Sequence, residues 1–249
     1  MKKNNLPVSA ALLGVMAAIC LSGTAHAAPG LAAEVYGATV EQGETEFEAR
    51  YGRLHGNGPS GSANGEDALR LEAAYGVTHN FRLGVVGEFA RAPGGPRRAD
   101  SASIEAIYAL GKAGGIDVAV YGEYEVGFLG PDKIETKLLL QRRTGPWDLR
   151  LNLIGKKALT AGERVELGYA ASADIAVVED VRLGMQAYGD LGTFRRFALR
   201  HEHYAGPVVK FEIEGLGPEV GVELGYLFAL GAATDSSDGQ FHLRLEFEF

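Results

Sequence analysis

The sequence predicts an all-β fold: a transmembrane antiparallel up-and-down β-barrel of about twelve strands, behind an N-terminal signal peptide. Three observations carry this. Apolar and ionic residues alternate with a period of two in one segment after another. Most of these segments reach the ~9–11 residues that a tilted membrane strand needs, where soluble strands run nearer ~5–6. The connections between them alternate between short and long, as in barrels with short turns on one side of a membrane and longer loops on the other.

The first residues read as a leader. Lys2 and Lys3 give a positive start, an apolar run extends from Val8 to Leu21, and Ala25-His26-Ala27 supplies a small-x-small cleavage pattern. The apolar run is too short for a membrane helix. Residues 1–27 are therefore expected to be removed and the mature chain to begin at Ala28. Residues 28–43 are expected to form an N-terminal periplasmic segment, and residues 44–249 the barrel. Within that segment, Ala33–Val40 precedes the turn Glu41–Glu44 and does not fit an even strand count. A periplasmic strand and a piece tucked into the barrel mouth both remain open.

The strands follow in order. The first, near 44–54, carries Glu46, Glu48 and Arg50 on one face. The second, near 67–77, alternates Leu69, Leu71, Ala73 and Tyr75 with Arg70, Glu72 and Ala74. The third, near 80–91, alternates Phe81, Leu83, Val85, Gly87 and Phe89 with Arg82, Gly84, Val86 and Glu88. A fourth lies near 101–111. The fifth, near 116–128, sets Ile116, Val118, Val120, Gly122, Tyr124, Val126 and Phe128 against Asp117, Ala119, Tyr121, Glu123 and Glu125. A sixth lies near 133–143. The seventh, near 146–157, sets Trp147, Leu149, Leu151 and Leu153 against Asp148, Arg150 and Asn152. An eighth, ninth and tenth lie near 163–175, 180–190 and 206–215. The eleventh, near 219–231, and the twelfth, near 240–249, repeat the pattern through Leu224 and Tyr226, then Phe241, Leu243, Leu245, Phe247 and Phe249.

Short connections fall at Thr78–His79, Lys112–Gly115, Thr144–Gly145, Val178–Glu179 and Leu216–Pro218. Longer ones fall at 55–66, 92–100, 129–132, 158–162, 191–205 and 232–239. With the last strand ending in the periplasm, every short turn lies on that side. Phe47, Tyr75, Phe81, Tyr108, Trp147 and Phe249 then form one aromatic belt. Tyr51, Phe89, Tyr124, Phe128, Tyr226, Phe228 and Phe241 form the other, as interfaces favour. A final strand ending in Phe249, apolar at every second position, resembles the terminal signature of outer-membrane barrels. The expected location is the outer membrane of a Gram-negative-type cell. The expected partners are outer-membrane lipid and lipopolysaccharide, the barrel-assembly machinery during insertion, and a small-molecule solute.

If the oily face meets lipid, the ionic face lines the lumen. Candidate lining residues are Glu46, Glu48, Arg50, Arg70, Glu72, Arg82, Glu88, Glu123, Glu125, Lys137, Arg150, Glu166, Arg182, Lys210, Glu212, Glu223, Arg244 and Glu246. Carboxylates outnumber cations, so Arg–Glu networks are expected with surplus carboxylates facing water. Twelve strands lie between the ~8 whose side chains fill the interior and the ~16 that leave a clear channel. An acidic, cation-preferring narrow pore and a lumen plugged by side chains both fit. Leu151 is expected outside and Asn152 inside, so a cation should be tolerated better at 152 than at 151.

Other chemistry is thinly represented. The net charge is −8, and −10 once Lys2 and Lys3 leave with the leader, which excludes a nucleic-acid-binding surface. Cys20 is the only cysteine and lies in the leader, so disulfides, thiolate metal sites and a cysteine nucleophile are excluded. No cofactor or metal site is expected. Ser236, Ser237 and His242 cluster around the last long loop, and outer-membrane lipid hydrolases use serine and histidine near the outer leaflet. Catalysis also needs an orienting third group, and none is evident, so an enzyme is not expected. His201-Glu202-His203 offers two imidazoles without a third ligand. The stretch Arg91–Arg98 is basic, a candidate contact for lipopolysaccharide phosphate or a solvated turn.

Three stretches resemble the outer-membrane barrels named after the meta-pathway of phenol degradation, a transporter-like family. They are Gly43-Glu44-Thr45-Glu46-Phe47-Glu48, the strand–turn–strand unit from Leu71 to Gly84, and Gly206-Pro207-Val208-Val209. The resemblance spans most of residues 33–249 and implies passage of small, hydrophobic molecules. Two functions are thus expected: a narrow uptake pore with an acidic lumen, or a structural or surface-interaction barrel without transport.

Overall fold

A computed structural model describes residues 30–56, 65–197, 201–213, 215 and 217–249. The predicted leader lies outside these residues. Thirteen antiparallel strands form one sheet. They are β1 (Thr45–His55), β2 (Asp67–Thr78), β3 (Phe81–Arg91), β4 (Arg98–Ala113), β5 (Ile116–Gly127), β6 (Lys133–Thr144) and β7 (Trp147–Ala158). β8 (Glu166–Val178), β9 (Val181–Thr193), β10 (Arg196–Phe197), β11 (Glu202–Ile213), β12 (Glu219–Gly231) and β13 (Gly239–Glu248) complete it. β10 is a two-residue return onto β9, so the wall has twelve long strands. Each pairs with its chain neighbours, β9 passes directly to β11, and β13 pairs with β1 from Glu46↔Glu248 to His55↔Gly239. The sheet has no free long edge, which spares a ladder of unpaired backbone groups.

The alternation produces these strands for a simple reason. Period two puts every second side chain on the same face. Leu71, Val85, Ile104, Val120, Leu138, Leu153, Leu183 and Met185 stand exposed on the outside. Phe47, Tyr75, Tyr108, Trp147 and Phe249 are exposed at the short-turn end, and Tyr124, Phe128, Phe228 and Phe241 at the long-loop end. The tight turns rest on glycine where the chain needs φ > 0, as at Gly145 (φ 56°) between β6 and β7. All twelve expected strands are present. β8 begins at Glu166 rather than near 163, β11 begins at Glu202 rather than near 206, and β4 runs longer at both ends than 101–111.

Of the two placements left open for residues 33–40, a periplasmic strand and a piece tucked into the barrel, the second is the one described. Residues 31–40 run inside the barrel as an extended chain, from Leu31 beside β1 near its long-loop end to Glu41 beside β2 near its short-turn end. Two glycines make room for it. A Cβ on Gly52 would lie 1.5 Å from the Leu31 carbonyl oxygen, and one on Gly76 would lie 1.8 Å from that of Glu41. Two apolar clusters receive its side chains. Ala33 and Val35 pack with Leu54, Ile154, Tyr188, Tyr204, Val208 and Leu227. Tyr36 and Ala38 pack with Ile107, Ala119, Tyr121 and Leu139. The physical reason for the position is burial. In the periplasm these apolar side chains would stay wet, whereas inside they cover inward-facing apolar residues that a water-filled pore would leave exposed.

Candidate lumen site

Strand register sets the charge pattern of the lumen. Glu48 lies between Glu246 on β13 and Glu72 on β2, and Arg50, one inward position further along, lies between Arg244 and Arg70. Like charges therefore sit side by side, which alone would be unfavourable. The rows are stabilised diagonally. Arg50 reaches Glu34 at 2.6 Å and Glu72 at 2.7 Å and also pairs with Glu48. Arg244 pairs with Glu48 and Glu246. Arg82 bridges Glu46 at 2.9 Å, Glu72 at 2.6 Å and Glu105 at 3.1 Å. Several carboxylates thus share one guanidinium, whose planar fork can serve them together.

The same logic continues around the wall. Glu105, Glu123 and Glu135 are lateral neighbours on β4, β5 and β6, and Lys156 on β7 follows them. Arg70 lies 3.2 Å from Glu123 and 3.7 Å from Glu88. Lys137 lies 3.0 Å from Glu135, and its ammonium stands 4.1 and 4.0 Å from the ring centres of Tyr36 and Tyr121. Glu125 pairs with Lys133 at 2.7 Å. Asp174 takes Lys210 at 2.8 Å and pairs with Arg182. Glu223 accepts from Gln186 at 2.6 Å, and Asp148 lies 2.9 Å from Arg150.

All eighteen candidate lining residues lie on the inward-facing set of their strands. Glu212 is exposed near the end of β11, and Glu166 opens β8 opposite Lys156. Glu48, Glu72, Glu105, Glu123 and Glu135 are buried and paired. The sequence did not single out Glu34, Tyr36 or Gln141, and it placed Asn152 inside without a partner. Asn152 is fully buried; its Oδ1 accepts the Tyr36 N–H at 2.8 Å and its Nδ2 donates to the Tyr36 carbonyl at 3.0 Å. Gln141 accepts the Ala38 N–H at 3.0 Å, and Arg150 donates to the Val35 carbonyl at 3.3 Å. A cation at 152 would break the first pair and bury a charge, so the expectation of tolerance there is corrected.

Among the described residues, the segment borders two cavities. One of about 430 Å³ lies at the short-turn end. Ten carboxylates and six cations line it, including Glu44, Glu46, Glu246 and Glu248 opposite Arg150, Arg182 and Lys210. Burial, then the neighbouring Glu41, lifts the Glu44 carboxyl above its usual range. The other, about 200 Å³, lies between the segment and the wall from β1 to β7, with five cations and four carboxylates. Two carboxylate triplets, Glu34–Glu48–Glu72 and Glu46–Glu48–Glu246, hold oxygens within 4.8 Å of one another, and Arg50, Arg82 and Arg244 already serve them.

The remaining sequence candidates separate. Ser237 is buried with its hydroxyl 3.1 Å from that of Tyr204, whereas His242 faces Glu223 at 3.8 Å. His201 lies 3.5 Å from Asp190, and His203 lies 3.3 Å from the Tyr169 hydroxyl. Arg97 is tied to Asp67 at 2.7 Å, and Arg91 pairs with the same carboxylate, which fastens the basic loop to the rim of β2.

No family model matches the chain, and no curated protein does, so the phenol-degradation resemblance rests on its short stretches alone. Solved structures do match. A KdgM porin in complex with disordered oligogalacturonate aligns with TM-score 0.55 at 12% identity, over 82% of this chain and 98% of the porin. A NanC porin aligns with TM-score 0.56 at 11% identity, over 82% and 98%. An outer-membrane channel from Pseudomonas putida F1 aligns with TM-score 0.55 at 14% identity, over 84% and 96%. At these identities the likeness establishes the fold.

Proposed function

We propose that the chain is an outer-membrane channel for small polar solutes, narrowed by its own N-terminal segment. The observation that carries this is the carboxylate-rich cavity at the short-turn end of a closed twelve-strand wall with an apolar exterior. An ionic lining of this kind argues for polar rather than hydrophobic cargo. The apolar exterior between two aromatic belts is the surface that lipid would cover, with the long loops outward and the short turns in the periplasm. One feature favours the second reading, a structural barrel without transport: the segment fills much of the lumen.

Ion selectivity separates the two. Cations should be enriched at a mouth where carboxylates exceed cations by four. Reversal potentials across a salt gradient should show cation preference, reduced when Glu44 and Glu219 become Gln. That preference should begin to fall while pH is still above the ordinary carboxylate range, because a raised Glu44 loses its charge early. Anion preference, or well-folded protein that carries no current, would favour the structural barrel.

A further inference from the structure

The segment inside the barrel is held as a ligand is held. Among the described residues, no main-chain hydrogen bond joins residues 31–42 to a strand; the first is from the Gly43 N–H to the Gly76 carbonyl, 2.8 Å. The middle of the segment is held instead by side chains that read its backbone. The Asn152 carboxamide accepts from the N–H and donates to the C=O of one residue, Tyr36. An extended peptide presents those two groups on one side of the same residue, and a sugar or an inorganic ion does not. Gln141 reads the next N–H on that edge, at Ala38, and Arg150 the carbonyl of Val35. One side chain is read by charge: the Glu34 carboxylate lies 2.6 Å from Arg50 and 3.6 Å from Arg244.

We propose that the lumen is a binding groove for extended oligopeptides carrying a single carboxylate, which residues 33–39 occupy as an internal stand-in. This rests on the channel reading, since an external peptide must enter the barrel, and it names that channel's solute class. Side-chain contacts to a peptide backbone tolerate changes in the guest's sequence, while the paired arginines select one carboxylate in it. The guest would displace the segment residue for residue, exchanging like hydrogen bonds for like.

The full chain carrying Gly52→Ala and Gly76→Ala tests this. The new methyl groups fall where the Leu31 and Glu41 carbonyl oxygens lie, so the segment should leave the lumen and the single-channel current should rise. A synthetic heptapeptide with the sequence of residues 33–39 stops short of both glycines. It should block the raised current saturably, and about tenfold less tightly when its Glu is Gln or when Asn152→Ala is added. A raised current that the heptapeptide leaves untouched, or that a scrambled heptapeptide blocks equally, overturns the proposal. A current that does not rise counts against the channel reading instead. The groove is then read from a second variant, with a protease site in the turn Glu41–Glu44 cut after folding. Uptake of labelled heptapeptide in exchange for the freed segment, weakened by Asn152→Ala, supports the groove. No uptake, or uptake indifferent to Asn152, overturns it.

Discussion

Replacing Arg50 with leucine is expected to be among the most damaging single substitutions in the barrel. Its guanidinium is 1% exposed and lies among Glu34, Glu48 and Glu72. Removing it takes from Glu34, Glu48 and Glu72 the cation all three share; Arg244 still reaches Glu34 and Glu48, and Arg82 still reaches Glu72, but each is divided with a further carboxylate, Glu246 or Glu46. Breaking a buried ion pair by deleting one partner costs about 3–5 kcal/mol. Urea refolding followed by Trp147 fluorescence and by the mobility of unboiled protein should show a loss of that size. Lysine at 50 should recover only part of it, because an ammonium cannot fork across several carboxylates. Adding Glu48→Gln and Glu72→Gln to the leucine variant should restore stability, since the repulsion then has no source. Unchanged stability on Arg50→Leu would mean that the network is wet and loosely held.

Asn152→Leu should rank with it. The change keeps size and removes both halves of the bond to Tyr36, orphaning a buried N–H and a buried C=O. Each orphaned group costs about 1–3 kcal/mol. The damage should be local. In hydrogen exchange the Tyr36 and Ala38 amides should lose protection while the amides of β3–β6 keep theirs. Equal loss throughout the barrel would show that Asn152 supports the wall rather than the segment.

The wall was legible in the sequence because period-two alternation is a local signal, and every strand from β1 to β13 that spans the barrel carries it. The lining was legible for the same reason: once the outward face of β5 is known, Glu123 and Glu125 must face inward. Pairing partners were not legible, because Arg50 meets Glu34 and Glu72 through strand register and through a segment that no alternation locates. Residues 31–40 look like any short strand. A signal for them did exist on the wall itself. Ile107, Leu139, Ile154 and Leu227 are inward positions occupied by large apolar residues, which an aqueous pore would not favour, and Gly52 and Gly76 are inward positions without side chains. Read together, they mark an apolar guest in the lumen.

Single-channel conductance of the refolded full-length protein, compared with a variant lacking residues 31–40, tests the central claim most directly. The segment fills the middle of the lumen, so its removal should raise a small, cation-preferring conductance several-fold while the barrel stays folded by gel mobility. A folded variant that conducts no better than the full-length chain would contradict it, and the lumen would then be closed by the wall's own side chains.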